Sequence, residues 1–462
     1  MDKIDISSYI DNFQLGDTRL NHRLEKLFHQ TRQGVGMSTP QMINNKGQTK
    51  AYYRFINNKR VKYTALCSGY SAYSRAHVSD SEVVLAVQDT TTLNFSTKRS
   101  ASVLDCLESA QDKGFMLHNH LLMNGLGCPL GLFYQLLYGR PVETLGKSKA
   151  NLRKQTPFCD KESYRWLAQF EALQEAYADD TSKLVIQICD REGDIHELLQ
   201  ARKYDHIHYI IRSSYERSSE DNEASIWQQV ADEPYAYTYE LAIDKSKART
   251  QRIALMEVRY KEVEIKASYR KDKSIFPQTL WILETQEVNP PQGEDPIHWR
   301  LLTSMPITNP DIAGQIIQYY VLRWVIERFH YVLKQGVLVQ DLQIQTKEAL
   351  QNAIILKSWA ALDVLTLAYM PKTNNNITLQ QAGFCQKDYD IAYEFAKKRC
   401  NSKEIKKEQP LLSDFTRLIA QIGGHSLQKN KTIGVNSIWR GWTTFTTIKE
   451  TLSLFEKDVG NQ

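Results

Sequence analysis

The 462-residue chain is long enough to bury a sizeable core and to form two or three domains. Its 42% hydrophobic and 24% charged residues are those of a globular protein. No uncharged apolar run reaches the ~20 residues of a membrane span, so no membrane partner is expected. The net charge of +5 is uneven: residues 1–75 hold 12 Lys+Arg against 5 Asp+Glu, and the other 387 residues sum to about −2.

A basic leading segment on a near-neutral body points to a polyanion-binding module. The start of the chain lacks the basic-then-apolar order of a signal peptide. The seven cysteines are scattered without a C-x-x-C pair. A reducing cytoplasm is the expected location.

In chain order, residues 9–33 are expected to be helical, with Leu20, Leu24, Leu27 and Phe28 at helical spacing among basic residues. Residues 46–61 interleave Lys50, Arg54, Lys59 and Arg60 with Tyr52, Tyr53 and Phe55. The aromatics suit a core and the cations suit phosphates, so Arg54 and Arg60 are candidate DNA contacts. Val83 to Val87 form a β-branched apolar run that delivers Asp89 at its end. Residues 114–123 and 129–139 read as two strands of a hairpin. His118-Asn119-His120 lies mid-strand and is read as structural.

A helix is expected over 161–178, and Leu184 to Ile188 repeat the earlier strand, ending at Asp190. Asp194 is placed as the cap of the following helix. Another strand, 208–214, carries Arg212. Strand-like segments at 235–243, 252–260, 261–268 and 280–288 form an antiparallel β insertion over about 220–302. Residues 347–368 are apolar and helical, 370–379 form an Asn-rich loop, and 380–462 are mainly helical with Trp439 and Trp442 near the end.

The helix read from Asn309 to Gly336 organises the rest. Asn309 suits the cap, Pro310 the first helical position, and Gly336 the end. With Tyr320 at 0°, Arg323 falls at about −60°, Glu327 at about −20° and Lys334 at about −40°. Trp324 and Tyr331 border this stripe. Val321, Leu322, Val325, Ile326, Phe329, Val332 and Leu333 form the opposite, apolar face. Two strands ending in Asp and a helix presenting Glu supply the hard oxygen ligands that Mg²⁺ or Mn²⁺ takes in phosphodiester chemistry. Spacing alone does not bring the three carboxylates together.

Tyr320-x-x-Arg323-x-x-x-Glu327-x-x-x-x-x-x-Lys334 matches every fixed position of the YREK signature of bacterial insertion-sequence transposases. The chain resembles the insertion-sequence-four family, which includes the transposon-five transposase. Gln88-Asp89-Thr90-Thr91, the stretch from Cys189 to Ile195, Gly16-Asp17, Tyr53-Arg54-Phe55-Ile56 and Trp439-Arg440-Gly441-Trp442 extend the likeness along nearly the whole chain.

The resemblance implies an α/β fold: a ribonuclease-H-like core interrupted by the antiparallel β insertion. Helical N-terminal DNA-binding and helical C-terminal regions would flank it. The corresponding segments are 1–70 for DNA binding, 71–370 for catalysis and 371–462 for dimerisation. Asp89, Asp190 and Glu327 would be catalytic ligands of two Mg²⁺ ions, with Mn²⁺ able to substitute. Tyr320, Arg323 and Lys334 would hold phosphates, Trp299 would stack on a flipped base, Trp324 would assist, and Arg212 would contact a phosphate. The implied activity is cut-and-paste transposition. Terminal inverted repeats are bound, excised through hairpin ends and joined to target DNA by a homodimer in a synaptic complex. A domesticated or defective DNA-binding regulator, or a metal-dependent nuclease without strand transfer, is the alternative.

Overall fold

The computed structural model describes residues 6–43, 45–145, 156–220, 224–243, 250–267, 275–426 and 433–459. The extreme ends of the 1–70 and 371–462 segments lie outside them. The chain gathers into two compact units, each built from non-consecutive pieces. The first is Met1–Ser81, Thr90–Lys147 and Trp324–Gln462; the second is Glu82–Asp89 and Ser148–Arg323.

The first unit opens with a 3₁₀ helix, Ile6–Phe13, followed by α1 (Thr18–Gln33), α2 (Thr39–Ile43), α3 (Lys46–Ile56) and α4 (Tyr63–His77). The expected continuous helix over 9–33 is therefore broken. Gln14 and Gly16 both take positive φ, and Asp17 caps α1 by accepting from the Arg19 N–H. Two antiparallel strands, β2 (Gly114–Asn124) and β3 (Pro129–Tyr138), pair alongside the end of β1 (Val83–Asn94) in the order β3-β2-β1.

The C-terminal part of this unit is helical. α10 (Lys347–Thr373) is apolar and long enough by composition to cross a membrane, yet most of it is buried inside the protein as a core helix. It runs through Pro371, so the loop expected at 370–379 starts only after Thr373. α11 (Gln386–Arg399), α12 (Leu412–Ile422) and α13 (Val435–Val459) complete the tail. A Cβ on Gly441 would fall 1.7 Å from the Ile419 carbonyl oxygen, so glycine is what lets α13 lie against α12 there. The tail also buries its own aromatics: Trp439 is buried, and Trp442 donates Nε1–H to the Arg32 carbonyl at 3.0 Å.

The second unit is a mixed sheet in the order β1-β4-β5-β9-β8-β7-β6, with β4 (Leu184–Cys189), β5 (Ile207–Arg212), β6 (Tyr237–Ile243), β7 (Arg252–Ile265), β8 (Gln278–Glu287) and β9 (His298–Thr303). β1, β4 and β5 run parallel, and β5, β9, β8, β7 and β6 are antiparallel. The segments expected as separate strands at 252–260 and 261–268 are one 14-residue strand, because no turn residue interrupts Tyr260-Lys261. Its helices are α5 (Tyr164–Tyr177), the single turn α6 (His196–Leu199), α7 (Ile226–Ala231) and α8 (Pro310–Val321).

The long helix read from Asn309 to Gly336 is three pieces. α8 is capped by Asn309, whose Oδ1 accepts from the Ile312 N–H at 3.1 Å. At Leu322 and Arg323 the hydrogen bonding tightens, with the Arg323 N–H reaching back three residues to the Tyr320 carbonyl at 3.0 Å. α9 (Trp324–Tyr331) comes next, then a π turn at Val332–Gly336 closed by the Val337 N–H on the Val332 carbonyl. Each change of winding rotates the residues beyond it, so the single apolar face does not hold. Val321 is exposed, whereas Val325, Ile326, Phe329, Val332 and Leu333 are buried.

Candidate functional site

In the second unit, β1 and β4 pair residue by residue from Val83 opposite Leu184 to Val87 opposite Ile188. Carried two places further, this register sets Asp89 opposite Asp190. Neighbouring strands lie ~4.8 Å apart and opposed residues point to one face, so both carboxylates leave the same side of the sheet. The strands hold them there because Val84–Val87 and Val185–Ile188 are fully buried. Asp190 is fixed further: its side chain caps a 3₁₀ turn, Arg191–Gly193, by accepting from the Glu192 N–H at 2.9 Å.

The tightened turn at the end of α8 brings cations to this place. Arg323 is 9% exposed, and its Nη1 lies 4.0 Å from Asp89 Oδ2. Tyr320 is also buried; burial raises its phenol pKa, while hydrogen bonds from Arg323 and Arg212 pull in the opposite direction. Arg212 also donates to the His298 carbonyl at 3.3 Å. Burial pushes the Cys189 thiol up, and the charges of Asp190, Arg323 and Asp89 all act on it, placing this thiol among the three. Trp299 meets Tyr320 edge to face at 5.8 Å and packs on the Ala254, Met256 and Ile297 cluster of the β insertion. Asp89, Asp190, Tyr320, Arg323, Arg212 and Trp299 are thus one neighbourhood.

The carboxylate pair fits a hard divalent cation in donor type, since both residues offer anionic oxygen and Arg323 already answers the negative charge. Among the described residues, no group of three or more His, Cys, Asp or Glu is gathered tightly enough to hold a metal.

In the first unit, Glu327 is half-buried in the first turn of α9, Trp324 and Tyr331 are exposed, and Lys334 sits in the π turn. A buried polar chain holds α9 from behind. Gln135 Nε2 donates to Asn119 Oδ1 at 2.8 Å and to Ser358 Oγ at 2.9 Å. Asn119 Oδ1 is thereby an acceptor, so its amide nitrogen donates to His330 Nε2 at 2.9 Å. His118 bonds the Thr90 hydroxyl at 2.8 Å, one residue past Asp89. The His118-Asn119-His120 strand is structural, as expected, but two of its residues serve the neighbours of candidate site residues. A histidine three places after Glu327 on a helix was the available signal for this.

On α3, Tyr52, Phe55 and Ile56 face the core while Lys46, Lys50 and Arg54 stand exposed at four-residue spacing, with Tyr53 beside them. The aromatic-in, cation-out reading of this segment agrees with that burial. Lys46 and Lys50 belong on the same ridge as Arg54, which i, i+4, i+8 spacing could have shown. Arg60 differs, since it shares Asp17 with Arg19 in ion pairs of 3.5 and 2.9 Å. Hydrogen bonds from Arg19 hold the Asp17 carboxyl down at about 2.

Residues 6–61 match the protein family described as Transposase DNA-binding. The matched span holds the helices from Ile6 to Ile56. Among solved structures, the chain is similar to a piggyBac transposase synaptic complex with hairpin DNA at 9% identity. The likeness has a TM-score of 0.31 and covers 72% of this chain and 51% of that one. The chain spans about half the length of that relative, and a likeness so distant carries no argument about function.

Proposed function

We propose that this protein is a cut-and-paste DNA transposase of the insertion-sequence-four type, built on a ribonuclease-H-like core. Its residues 6–61 bind terminal inverted repeats. Asp89, Asp190 and Glu327 would hold two Mg²⁺ ions, or Mn²⁺ in their place. When bound, such ions supply neutralisation of charge on the attacking and leaving oxygens. The observation that carries the reading is the β1–β4 register, which ends at Val87 opposite Ile188 just before Asp89 and Asp190, with Arg323 at 4.0 Å from Asp89. The family match at 6–61 supports its DNA substrate.

The chain's own residues have separable roles in this reaction. Arg323 and Arg212, each bonded to the Tyr320 phenol, bind phosphate oxygens with it and orient the strand for in-line attack. Lys334 adds a further cation. Trp299 and Trp324 receive the unstacked base beside the break. Water cleaves one phosphodiester and leaves a 3′-OH. That hydroxyl attacks the opposite strand to close a hairpin, water reopens it, and the same hydroxyl joins target DNA. Residues 371–462 carry the contact of a homodimer that synapses two ends, and the enzyme works in the bacterial cytoplasm on nucleoid DNA. With Trp439 buried and Trp442 half-buried against the Arg32 carbonyl, this dimer contact rests on the family likeness.

The test incubates the purified full chain with the inverted repeats that flank its gene, in Mg²⁺ and in Mn²⁺. Nicks at the repeat ends and hairpin-closed flanks are expected on denaturing gels. DNA that is bound but left uncut with both ions would return the protein to the class of DNA-binding regulators.

A further inference from the structure

We infer that Asp194 and Arg217 form a positioning clamp that locks the Asp190 turn to the root of the β insertion. The inference rests on the reading of Asp190 as a metal ligand. Asp194 was expected to cap the helix after β4, and it does not: its side chain is fully buried and ion-paired to Arg217, itself 6% exposed. The Ser214 N–H donates to Asp194 Oδ2 at 2.7 Å and the Ser213 hydroxyl to the same oxygen at 3.3 Å. Ser214 Oγ–H donates to the Arg191 carbonyl at 2.8 Å. Both ends of the turn that begins with Asp190 are therefore tied to one short segment, Ser213 to Arg217.

That segment is where the insertion departs from β5. The Arg217 carbonyl accepts from the Ile226 N–H at 3.0 Å, the Ser218 carbonyl accepts from the Lys266 N–H at 2.9 Å, and Ser219 bridges to Ile265 at the end of β7. The turn has little slack on its other side. A Cβ on Gly193 would lie 2.5 Å from Cys189 Cβ. A buried ion pair is costly to form and strongly directional once formed, so it suits a fixed geometry better than a gain in stability. The insertion and the Asp190 carboxylate thus move as one piece. Asp194 and Arg217 act through Asp190 without touching substrate.

The test uses the full chain and four variants: Arg217→Met, Asp194→Asn, the double variant, and Asp190→Asn. Melting temperature, hydrogen exchange of the Glu192–Asp194 amides, and Mn²⁺ binding by electron paramagnetic resonance are read on each. Arg217→Met leaves a buried carboxylate uncompensated and is expected to lower the melting temperature. The double variant removes both charges and is expected to recover most of that loss. In the double variant the turn amides should still exchange faster and Mn²⁺ should bind roughly 10–100-fold more weakly, the usual cost of losing support behind a ligand. Wild-type exchange and wild-type Mn²⁺ affinity in the double variant would overturn the clamp and leave the pair a stability element only. Should Asp190→Asn itself bind Mn²⁺ like wild type, the ligand reading fails, and amide exchange alone then decides the clamp.

Discussion

On the proposed function, two sets of cations in this protein would serve phosphate in opposite ways. On α3, Lys46, Lys50 and Arg54 stand in solvent on one ridge of a helix whose other face is core. Beside Asp89, Arg323 is buried and, with Arg212, spends hydrogen bonds on the Tyr320 phenol. The first set acts through a field that salt screens over ~8 Å at physiological strength, and its members are nearly interchangeable. The second acts by position, in a low-dielectric site where a small displacement costs more than a lost charge on the surface. On that reading the ridge would recruit DNA, whereas the buried cluster would decide where a phosphate sits.

The deepest break in that comparison removes the anions at the buried end. Asp89→Asn, Asp190→Asn and Glu327→Gln each keep shape and lose a charge. Each is expected to lower nicking on the order of 10³-fold or more, with hairpin formation and strand transfer lost together. Binding of terminal DNA should persist, because phosphate contacts come from cations elsewhere. Gel shifts and cleavage assays run on the same preparations, with matched melting temperatures, check this. Cleavage surviving in a well-folded variant takes that residue out of the site.

Arg323→Ala sharpens the comparison from the cationic side. It removes the guanidinium facing Asp89 and one partner of Tyr320. Hairpin formation is expected to fall by roughly 10²–10³-fold, the usual cost of one lost donor to developing charge. Nicking should fall less, since the first step does not require the second strand to bend. Equal losses at the two steps would show a general folding or binding defect instead.

On the ridge, Lys50→Glu with Arg54→Glu should weaken binding about 100-fold at physiological salt and flatten the slope of log affinity against log salt by about one per lost phosphate contact. The melting temperature should stay put, because both side chains are exposed. An unchanged slope would move the DNA contact off α3.

Legibility from sequence divides along the same line. Asp89 and Asp190 were legible because each ends a run of buried β-branched or apolar residues, and a parallel strand pair aligns such ends without further instruction. The aromatic-in, cation-out pattern of 46–61 was legible because burial follows the interleaving, whereas the Lys46–Lys50–Arg54 ridge was not read and Arg60 turns to Asp17 instead. The winding of 309–336 was not legible, because a shift from four-residue to three-residue hydrogen bonding at Arg323 leaves no mark in hydrophobic periodicity. Asp194 was misplaced for a related reason. A short polar residue after a strand fits a helix cap locally, and only the partner Arg217, far along the chain, makes it a buried ion pair. The polar chain from Gln135 through Asn119 to His330 was equally hidden, since its members lie on separate elements.

The smallest expected effect concerns a third kind of cation, one that serves neither DNA nor the site. Lys357 on α10 is 4% exposed, and its ammonium donates to the Met37 carbonyl at 3.1 Å. Burial lowers its pKa from 10.5 to about 8. Below pH 8 the folded protein carries the full cost of a desolvated ammonium, while the unfolded chain keeps its proton up to about 10.5. Between those values the unfolded state binds more protons, so stability rises with pH through this window. The cost of the charge shrinks by about 2 kcal/mol between pH 7 and pH 9.5. Other groups titrate over the same range, so the effect is read as a difference between two proteins. Lys357→Met removes the charge at every pH and leaves the Met37 carbonyl short of a donor, a loss of about 1–3 kcal/mol that does not vary with pH. Its stability relative to wild type should therefore be higher at pH 7 than at pH 9.5, by about 2 kcal/mol in denaturant midpoints corrected for slope. A difference that stays flat across the window would mean that the Lys357 ammonium is solvated, and that α10 opens there to water.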